Sequence, residues 1–344
     1  MTKAAELAKM GEVLTNSQIG GRRNIVINGG MQVAQRATSV SSVTTSGYKA
    51  LDRFNIDLSS AGTWTISQDT NTPSGFGSSM KFLCTAADAS LGSSDRIAFR
   101  QYIEGQNVQQ LKKGTSDAEL VTASFYVKSN KTGTYILEFY DLDNSRHINK
   151  SYTVDTANTW EYKTITFEAD TTGVLDNDNA SSAMLHFWLG SGSSYSSGTL
   201  QTSWGANATN NRAVGNVNLA DTVDNYWQVT GIQLEVGSQA TPFEHASSFG
   251  EQLALCQRYY QNDLGGGCFA TAQATVYDGL SPMRFPVIMR TAPTIVQSGT
   301  LGGTTASATT LNITASGYVF YAGSSSGSGP RGYTTYNATM TAEL

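Results

Sequence analysis

Aromatic side chains are the groups of this sequence best suited to bind a ligand. Sugar rings have apolar C–H faces that stack on Trp and Tyr, while polar neighbours bind the hydroxyl groups. Three of the five tryptophans occupy apolar strand positions, which predicts core packing: Trp160, Trp188 and Trp227. Trp204 and Tyr195 instead lie in a long polar stretch, residues 190–224, and Trp64 shares features of both groups. We therefore take Trp204, Tyr195 and Trp64 as candidate carbohydrate-binding residues.

Two acidic segments present carboxylates at alternate positions. They are EFYDLDNS, which contains Asp141 and Asp143, and LDNDNA, which contains Asp176 and Asp178. Hard oxygen ligands at this spacing suit Ca²⁺, so each of the two turns is a candidate calcium site. Glycosidases need two carboxylates across a groove, and Glu138 with Asp141 or Asp143, or Asp176 with Asp178, raises that alternative. Asp is also a common turn former, and we favour turns without catalysis.

Nucleophilic catalysis is not indicated by the sequence. His186 lies inside the apolar strand AMLHFWL, where a hydrogen-bonded sheet residue is expected. His147 lies in a polar strand and is expected to be exposed, and His245 precedes a helix, where a capping or carbonyl contact is expected. The cysteines have neither a His partner nor metal-ligand spacing: Cys84, Cys256 and Cys268. We expect a protein that is not an enzyme.

Composition limits the classes of partner. The chain has 344 residues, of which 14% are charged, and a formal net charge of −5. Neutralising phosphates needs clustered Lys and Arg, so no nucleic-acid partner is expected. No stretch approaches the roughly 20 apolar residues of a membrane span, so no membrane insertion is expected. No signal peptide is apparent, and the sparse cysteines suit assembly in a reducing cytoplasm.

Short alternating segments between small polar turns predict an all-β architecture. Such a series of strands over about 220 residues is typical of a two-sheet sandwich, and a jelly roll satisfies the count. Gly231 interrupts the alternation of the last strand as a bulge would. The candidate strands of this first domain, residues 24–245, are 24–28, 52–57, 63–69, 79–84, 96–103, 119–128, 134–140, 146–153, 160–168, 183–189 and 226–236.

A short connecting helix is predicted over residues 246–264. Ser248 and Glu251 fit a capping box, and three glycines from Gly265 are expected to end the helix. Its apolar stripe is Phe249, Leu253, Cys256 and Tyr260. Residues 265–344 then predict a small C-terminal β-sandwich with strands at 268–277, 283–289, 294–298, 310–314, 317–322 and 333–343. A domain this small buries little apolar surface, so we expect it to lean on the helix, the first domain or other copies.

Residues 1–23 predict a short N-terminal helix and a linker. Leu7, Met10 and Leu14 share one side of a helix over 3–14, which is too short to be stable alone. One interpretation is a docking peptide that anchors the protein to a larger assembly. The other is a frayed terminus that packs on its own domain.

Three segments carry a family resemblance: GGRRNIVINGGMQVAQR, YKALDRF and QLEVGSQATPFEHASSFGEQLALCQRYY. They resemble segments that recur in tail-fibre and appendage proteins of tailed bacteriophages, including those of marine cyanobacteria. The resemblance implies a jelly-roll domain similar to carbohydrate-binding modules, whose first and last strands pair. It also implies a virion location, other virion proteins as partners, and a trimeric tip.

Three functions remain open at this point. The first is a tail fibre or appendage that attaches to host-surface glycans. The second is a structural head, neck or baseplate decoration protein without its own ligand. The third is a glycan-degrading tail enzyme, which the absence of a convincing catalytic set disfavours.

Overall fold

The structure, a computed structural model, describes residues 3, 22–246, 248–266, 269–270, 278–299, 305–324, 331–332 and 336–344. The chain divides into two units, residues 1–249 with Leu344 and residues 250–343. The predicted N-terminal helix with Leu7, Met10 and Leu14 lies outside the described residues. The prediction of an all-β jelly-roll sandwich is confirmed, because antiparallel sheets account for nearly all regular structure.

The described part of the first unit contains thirteen strands. In chain order they are β1 (Ser39–Val43), β2 (Gly47–Tyr48), β3 (Asn55–Ser59), β4 (Thr63–Asp69), β5 (Ser79–Ala86), β6 (Arg96–Glu104), β7 (Val121–Ser129), β8 (Gly133–Asp141), β9 (Arg146–Val154), β10 (Glu161–Phe167), β11 (Ser181–Ser191), β12 (Gly205–Ala206) and β13 (Tyr226–Val236). A one-turn helix, α1 (Ser193–Ser196), follows β11. Short 3₁₀ turns cover Gly105–Asn107, Gln109–Leu111, Thr209–Asn211 and Leu219–Asp221.

Two antiparallel sheets form the sandwich. The six-stranded sheet has the order β1-β4-β5-β13-β7-β10, and the seven-stranded sheet has the order β12-β9-β8-β11-β6-β3-β2. Alternate side chains point between the sheets because successive residues of a strand face opposite sides. Those inward side chains form one continuous core that includes Phe82, Phe99, Phe125, Phe187 and Trp227. The opposite, outward side chains are therefore free to build sites on two separate surfaces.

Most predicted strands of the first unit are confirmed, with two differences. Residues 24–28 are not a regular strand, but they still pair with the last strand, since Ile25 N–H donates to Leu234 O at 2.8 Å and Ile232 N–H donates to Gly29 O at 3.0 Å. No strand was predicted between residues 28 and 52, yet this interval contains β1 and β2. The expected bulge at Gly231 is confirmed by a register shift between Thr230 and Gln233.

The second unit is built from short strands, and the helix α2 (Phe249–Gln257) starts at the sequence boundary between the units. The strands are β14 (Tyr260–Gly266), β15 (Phe269–Ala270), β16 (Asp278–Arg284), β17 (Thr294–Gly299), β18 (Thr305–Thr314), β19 (Gly317–Ser324), β20 (Arg331–Gly332) and β21 (Tyr336–Thr341). The predicted helix end was wrong, because Tyr260 and Gly265 belong to β14. Among the described residues, neither helix is long and apolar enough to cross a membrane.

Candidate functional site

A row of five polar side chains crosses the outer face of the seven-stranded sheet. The strand register places Asn55 opposite Arg100, Arg100 opposite His186, and His186 opposite Glu138, which is opposite Asn149. Their neighbours along each strand, such as Phe99 and Leu137, point into the core, so the row points outward. Outer faces of such sheets are normally solvated, yet His186, Glu138 and Asn149 are fully buried. Something must therefore cover this half of the row.

The cover is the long segment between β11 and β13. Trp188, which lies next to the row, packs with Ala98 and Ile136 on the sheet and with Ala213 of the segment. Tyr195 and Leu200 border this small apolar cluster. The prediction that Trp188 packs in the core was thus right about burial but wrong about place, since it lies outside the sandwich core. A segment of this length in a sandwich is uncommon and often functional.

Glu138 is the anchor of the covered half. Its carboxylate accepts hydrogen bonds from Arg212 Nε at 2.7 Å, from Arg212 Nη2 at 2.8 Å and from Trp188 Nε1 at 3.1 Å. Bidentate guanidinium–carboxylate pairs are among the stronger charge-assisted hydrogen bonds. Burial is the largest influence and by itself would lower the pKa of Arg212, but the charge and hydrogen bonds of Glu138, with the charges of Tyr140 and Asp57, together raise it. Arg212 therefore fastens the segment to the sheet as a permanent cation.

His186 is the anomaly of the row. Its ring is 0% exposed and stacks on Trp188 with centroids 4.5 Å apart, and neither ring nitrogen has a hydrogen-bond partner. Its Nδ1 lies 3.6 Å from Glu138 Oε2, too far for a hydrogen bond. The expectation of a hydrogen-bonded sheet histidine was therefore wrong. His147 was expected to be exposed and is instead fully buried in the same row of strands.

The two buried histidines predict acid sensitivity of the first unit. Burial, reinforced by the charges of Arg100, Arg212 and Arg96, holds the pKa of His186 well below 6.5, and burial also lowers the pKa of His147. Below pH 6.5 these histidines are protonated in the unfolded chain but stay neutral in the folded chain. Their contribution to the free energy of unfolding is therefore fully present above that pH and is lost as the pH falls.

Between pH 7.5 and 5.5 the free energy of unfolding falls in the wild type as His186 resists protonation. We expect this fall to be about 1.4 kcal/mol smaller in a His186→Leu variant. Urea unfolding followed by tryptophan fluorescence measures this, since all five tryptophans lie in the first unit. An identical pH dependence in the variant would contradict the assignment of His186 as neutral.

The open half of the site is a set of alternating guanidinium and phenol groups, the arginine–tyrosine cluster. Its members are all half-buried: Arg96, Arg100, Arg212, Tyr102, Tyr140 and Tyr195. Arg100 lies over the Tyr102 ring at 5.0 Å, Arg96 over Tyr195 at 5.6 Å, and Arg212 over Tyr140 at 5.1 Å. Cation–π contacts of this kind hold both groups in place.

Asp57 fixes the arginines of the open half. It is 4% exposed and accepts from Arg96 Nε and from Arg100 Nη1, both at 2.9 Å. Arg100 Nε also donates to Asn55 Oδ1 at 3.3 Å, and Arg96 Nη1 donates to the Tyr195 hydroxyl at 3.0 Å. Burial would lower the pKa of Arg96, but the hydrogen bond and charge of Asp57 raise it. The site is thus preorganised before any ligand arrives.

The electrostatic balance of this site is positive. Asp57 is shared by two guanidinium groups, whereas Glu138 takes one, so one positive charge is left uncompensated. Burial also raises the pKa of Tyr102 and of Tyr140, which keeps both phenols protonated as hydroxyl donors. The arrangement offers flat apolar ring faces beside fixed N–H and O–H donors.

The candidate carbohydrate residues fall in different places. Tyr195 belongs to the arginine–tyrosine cluster and packs on Trp188 with centroids 5.2 Å apart. Trp204 does not join it, because it packs edge-to-face on Phe139 at 5.5 Å and its Nε1 donates to Glu168 O at 2.7 Å. Trp64 is 0% exposed in the sandwich core, so it is not accessible to a sugar. The prediction that Trp64 binds carbohydrate was therefore wrong, because its side of β4 faces the core.

The acidic turns come together, but not around an open cation site. Asp143 accepts from the backbone N–H of Asp176 at 2.9 Å, which joins the two turns, and Asp178 accepts from the N–H of Ala180 at 2.9 Å. Asp141 is buried and bound to the ammonium group of Lys113, which corrects its assignment as a calcium ligand. Within the described part of the chain, no three His, Cys, Asp or Glu side chains are grouped to hold a metal. A calcium ion at the other three residues stays a prediction.

One carboxylate pair considered for glycoside hydrolysis, Glu138 with Asp141, is split by the sheet. Glu138 points to the outer face of β8, whereas Asp141, three residues later, points to the opposite side. Two carboxylates on opposite sides of a sheet cannot flank one glycosidic bond. Glu138 is moreover engaged by Arg212 and Trp188.

Comparisons with known proteins give only distant similarities. No family model matches the sequence, and no curated protein does. Among solved structures, the enzymatically active domain of tailspike protein 4 of bacteriophage CBA120 is similar over 62% of this chain, with a TM-score of 0.33 and 11% identity. This chain covers 21% of that tailspike chain.

Two further structures are similar over comparable parts of the chain. A putative sugar binding protein from Bacteroides thetaiotaomicron has a TM-score of 0.34 and 9% identity, covering 62% of this chain and all of the other. The family 11 carbohydrate-binding module of a Clostridium thermocellum cellulase has a TM-score of 0.29 and 13% identity, covering 59% of this chain and 99% of the other.

Proposed function

We propose that the protein binds glycans through the arginine–tyrosine cluster. The observation that carries the proposal is that half-exposed phenol rings alternate with guanidinium groups that buried Asp57 and Glu138 hold in place. Glycan sites typically combine ring faces that stack on sugars with a few fixed polar groups that bind hydroxyls. The absence of a free catalytic carboxylate or nucleophile among the described residues of the site favours binding over cleavage.

Each part of the cluster has a task in this proposal. Tyr102 and Tyr140 offer ring faces and hydroxyl groups, and Tyr195 closes the site on the side of the long segment. Arg100 has guanidinium N–H groups beyond those used by Asp57 and Asn55, and its side chain is 19% exposed. Those remaining N–H groups are donors for sugar oxygens. Because side chains and strands fix the donors in advance, little ordering free energy is spent when a glycan binds.

The biological setting that we propose is a virion appendage of a tailed bacteriophage, such as a tail fibre, that attaches to host-surface glycans. The support is the resemblance of the three sequence segments, which lie within residues 20–260. In this setting the protein is a homotrimer assembled in the host cytoplasm with other virion proteins. A structural virion protein without its own ligand would not need the half-exposed cluster.

Replacing Arg100 with alanine is expected to weaken glycan binding by roughly 10- to 150-fold. The reason is that hydrogen bonds to charged groups are worth about 1.5–3 kcal/mol. Binding of purified protein to an array of neutral and acidic oligosaccharides, followed by titration of the best probe, measures the change.

A Val174→Ala variant is the control, since Val174 is 61% exposed and outside the cluster. Equal affinities of the wild type and a folded Arg100→Ala variant would refute the site. Failure of the folded wild type to bind any probe would count against the function itself.

A further inference from the structure

A second group of aromatic side chains lies on the outer face of the six-stranded sheet, on the other side of the sandwich. This aromatic strip consists of Tyr162, Tyr126, Phe76, Phe243 and His245. Ring centroids of Tyr162 and Tyr126 are 4.8 Å apart, those of Tyr126 and Phe76 are 5.4 Å apart, and those of Phe76 and Phe243 are 5.1 Å apart. Tyr162 is 47% exposed and His245 is also exposed, so the strip is open to solvent.

The bulge in β13 makes room for the strip. Gly231 has φ +64°, and a Cβ atom there would lie 2.6 Å from the end of the Phe76 ring. Phe76 therefore rests directly on the backbone of Gly231 and against Tyr126. A glycine at this bulge, together with the outward register of Tyr126 and Tyr162, aligns the rings on one surface.

Polar groups border one end of the strip. The Trp160 Nε1 donates to Asn71 Oδ1 at 3.0 Å, and Lys128 Nζ donates to the same oxygen at 3.1 Å. Gln228 lies between Lys81 and Lys128 in the strand register. Its side chain is 2% exposed, and its Nε2 has no hydrogen-bond partner. A buried amide donor without a partner costs stability that a ligand oxygen would recover.

We propose that the aromatic strip and its polar border form a second carbohydrate-binding surface. Sugar rings stack on Tyr162 and its neighbours, while Asn71, Lys128 and Gln228 bind hydroxyl groups. We take a glycan rather than a protein as the occupant, because the unpartnered Gln228 amide and the N–H donors of Lys128 lie beside exposed ring faces, as polar groups do in sugar sites. The ligand class rests on the proposed function, but the surface is separate from the arginine–tyrosine cluster. One molecule would then hold polysaccharide on two faces and gain avidity.

The test uses the full chain and two sets of variants. Arg100→Ala with Tyr102→Ala disables the first site, and Tyr162→Ala disables the strip. Thr164→Ala is the matched control for Tyr162→Ala, because Thr164 is exposed on the same face of the same strand. Labelled neutral and uronate-containing oligosaccharides are titrated against each variant, and the mass of the assembly and the melting temperature are measured alongside.

We expect residual binding after the first site is disabled, and we expect Tyr162→Ala to weaken that residual binding about tenfold. Thr164→Ala should have no effect. No residual binding in the first-site variant would overturn the second surface and leave the proposed function standing. A change of assembly mass without a change of oligosaccharide binding would identify the strip as an interface between copies and also overturn it. No binding by the wild type would overturn both proposals.

Discussion

An Arg212→Ala variant is expected to lose about 3–5 kcal/mol of the free energy of unfolding of the first unit. The substitution leaves Glu138, which is fully buried, without the guanidinium group that neutralises it. An uncompensated charge in this buried position lowers the free energy of unfolding far more than the loss of an exposed ion pair does. The corresponding drop in melting temperature is roughly 6–20 °C. Urea unfolding followed by tryptophan fluorescence measures the change.

A matched double variant separates the charge from the packing. Arg212→Met with Glu138→Gln removes both charges while it keeps side-chain volume over Tyr140 and Trp188. We expect the double variant to recover most of the stability that Arg212→Ala loses, because a buried pair is often replaceable by uncharged groups. Equal losses in the single and double variants would contradict the role of the ion pair in holding the long segment on the sheet.

Lys113→Met is the second substitution expected to have a large effect, again about 3–5 kcal/mol. The Lys113 ammonium group is 3.0 Å from Asp170 Oδ2, contacts Asp141, and donates to the carbonyl groups of Thr172 and Gly173 at 2.9 and 3.0 Å. Both carboxylates are buried, with side-chain exposures of 1% for Asp141 and 5% for Asp170. Removing the ammonium leaves Asp141 without a cation, although Arg146 still binds Asp170.

The neighbouring lysine provides the control for this prediction. Lys112 pairs with Glu119 on the surface, where its side chain is 53% exposed. Exposed pairs contribute little, so Lys112→Met is expected to leave stability unchanged. If the two lysine variants unfolded at the same denaturant concentration, the central position assigned to Lys113 would be wrong.

The strands were predictable because alternation and burial agree in most of them. The bounds of β4 and β13 match the predicted segments, and β1 was missed since SVSSV offers little apolar contrast. The helix α2 was predicted too long, because Tyr260 fits a helical stripe as well as a strand. Tyr260 pairs with Thr341 of β21, about 80 positions away, and a local sequence pattern contains no signal of that pairing.

The site was only partly predictable. Tyr195 was named because it lies in a long polar segment, and it does belong to the arginine–tyrosine cluster, while its binding of a sugar stays a prediction. His186 and Trp188 were assigned to the sheet interior because AMLHFWL is apolar on both sides, as strands covered on both faces are. The pattern did not show that the second face is covered by the segment between β11 and β13 and not by the other sheet. Arg212 carries no signal of its own, since its partner Glu138 is 74 positions away.

The outward direction of Arg96 and Arg100 could have been predicted from the sequence. They alternate with apolar residues in RIAFRQYI, which places both on the outer face of β6 beside Tyr102. Asp57 shares that face on the neighbouring strand, but only the register of β3 against β6 shows this. A charged, aromatic outer face on a central strand is the signal that would have indicated the cluster.

The most direct test of glycan binding by the arginine–tyrosine cluster is attachment of labelled protein to bacterial cells. Wild type and the Arg100→Ala, Tyr102→Ala variant are each incubated with a panel of cells, with and without the surface polysaccharide stripped, after folding and assembly mass are checked. We expect the wild type to bind only unstripped cells and the variant to bind them at least tenfold more weakly. Equal binding to stripped cells, or equal binding by the variant, would contradict it.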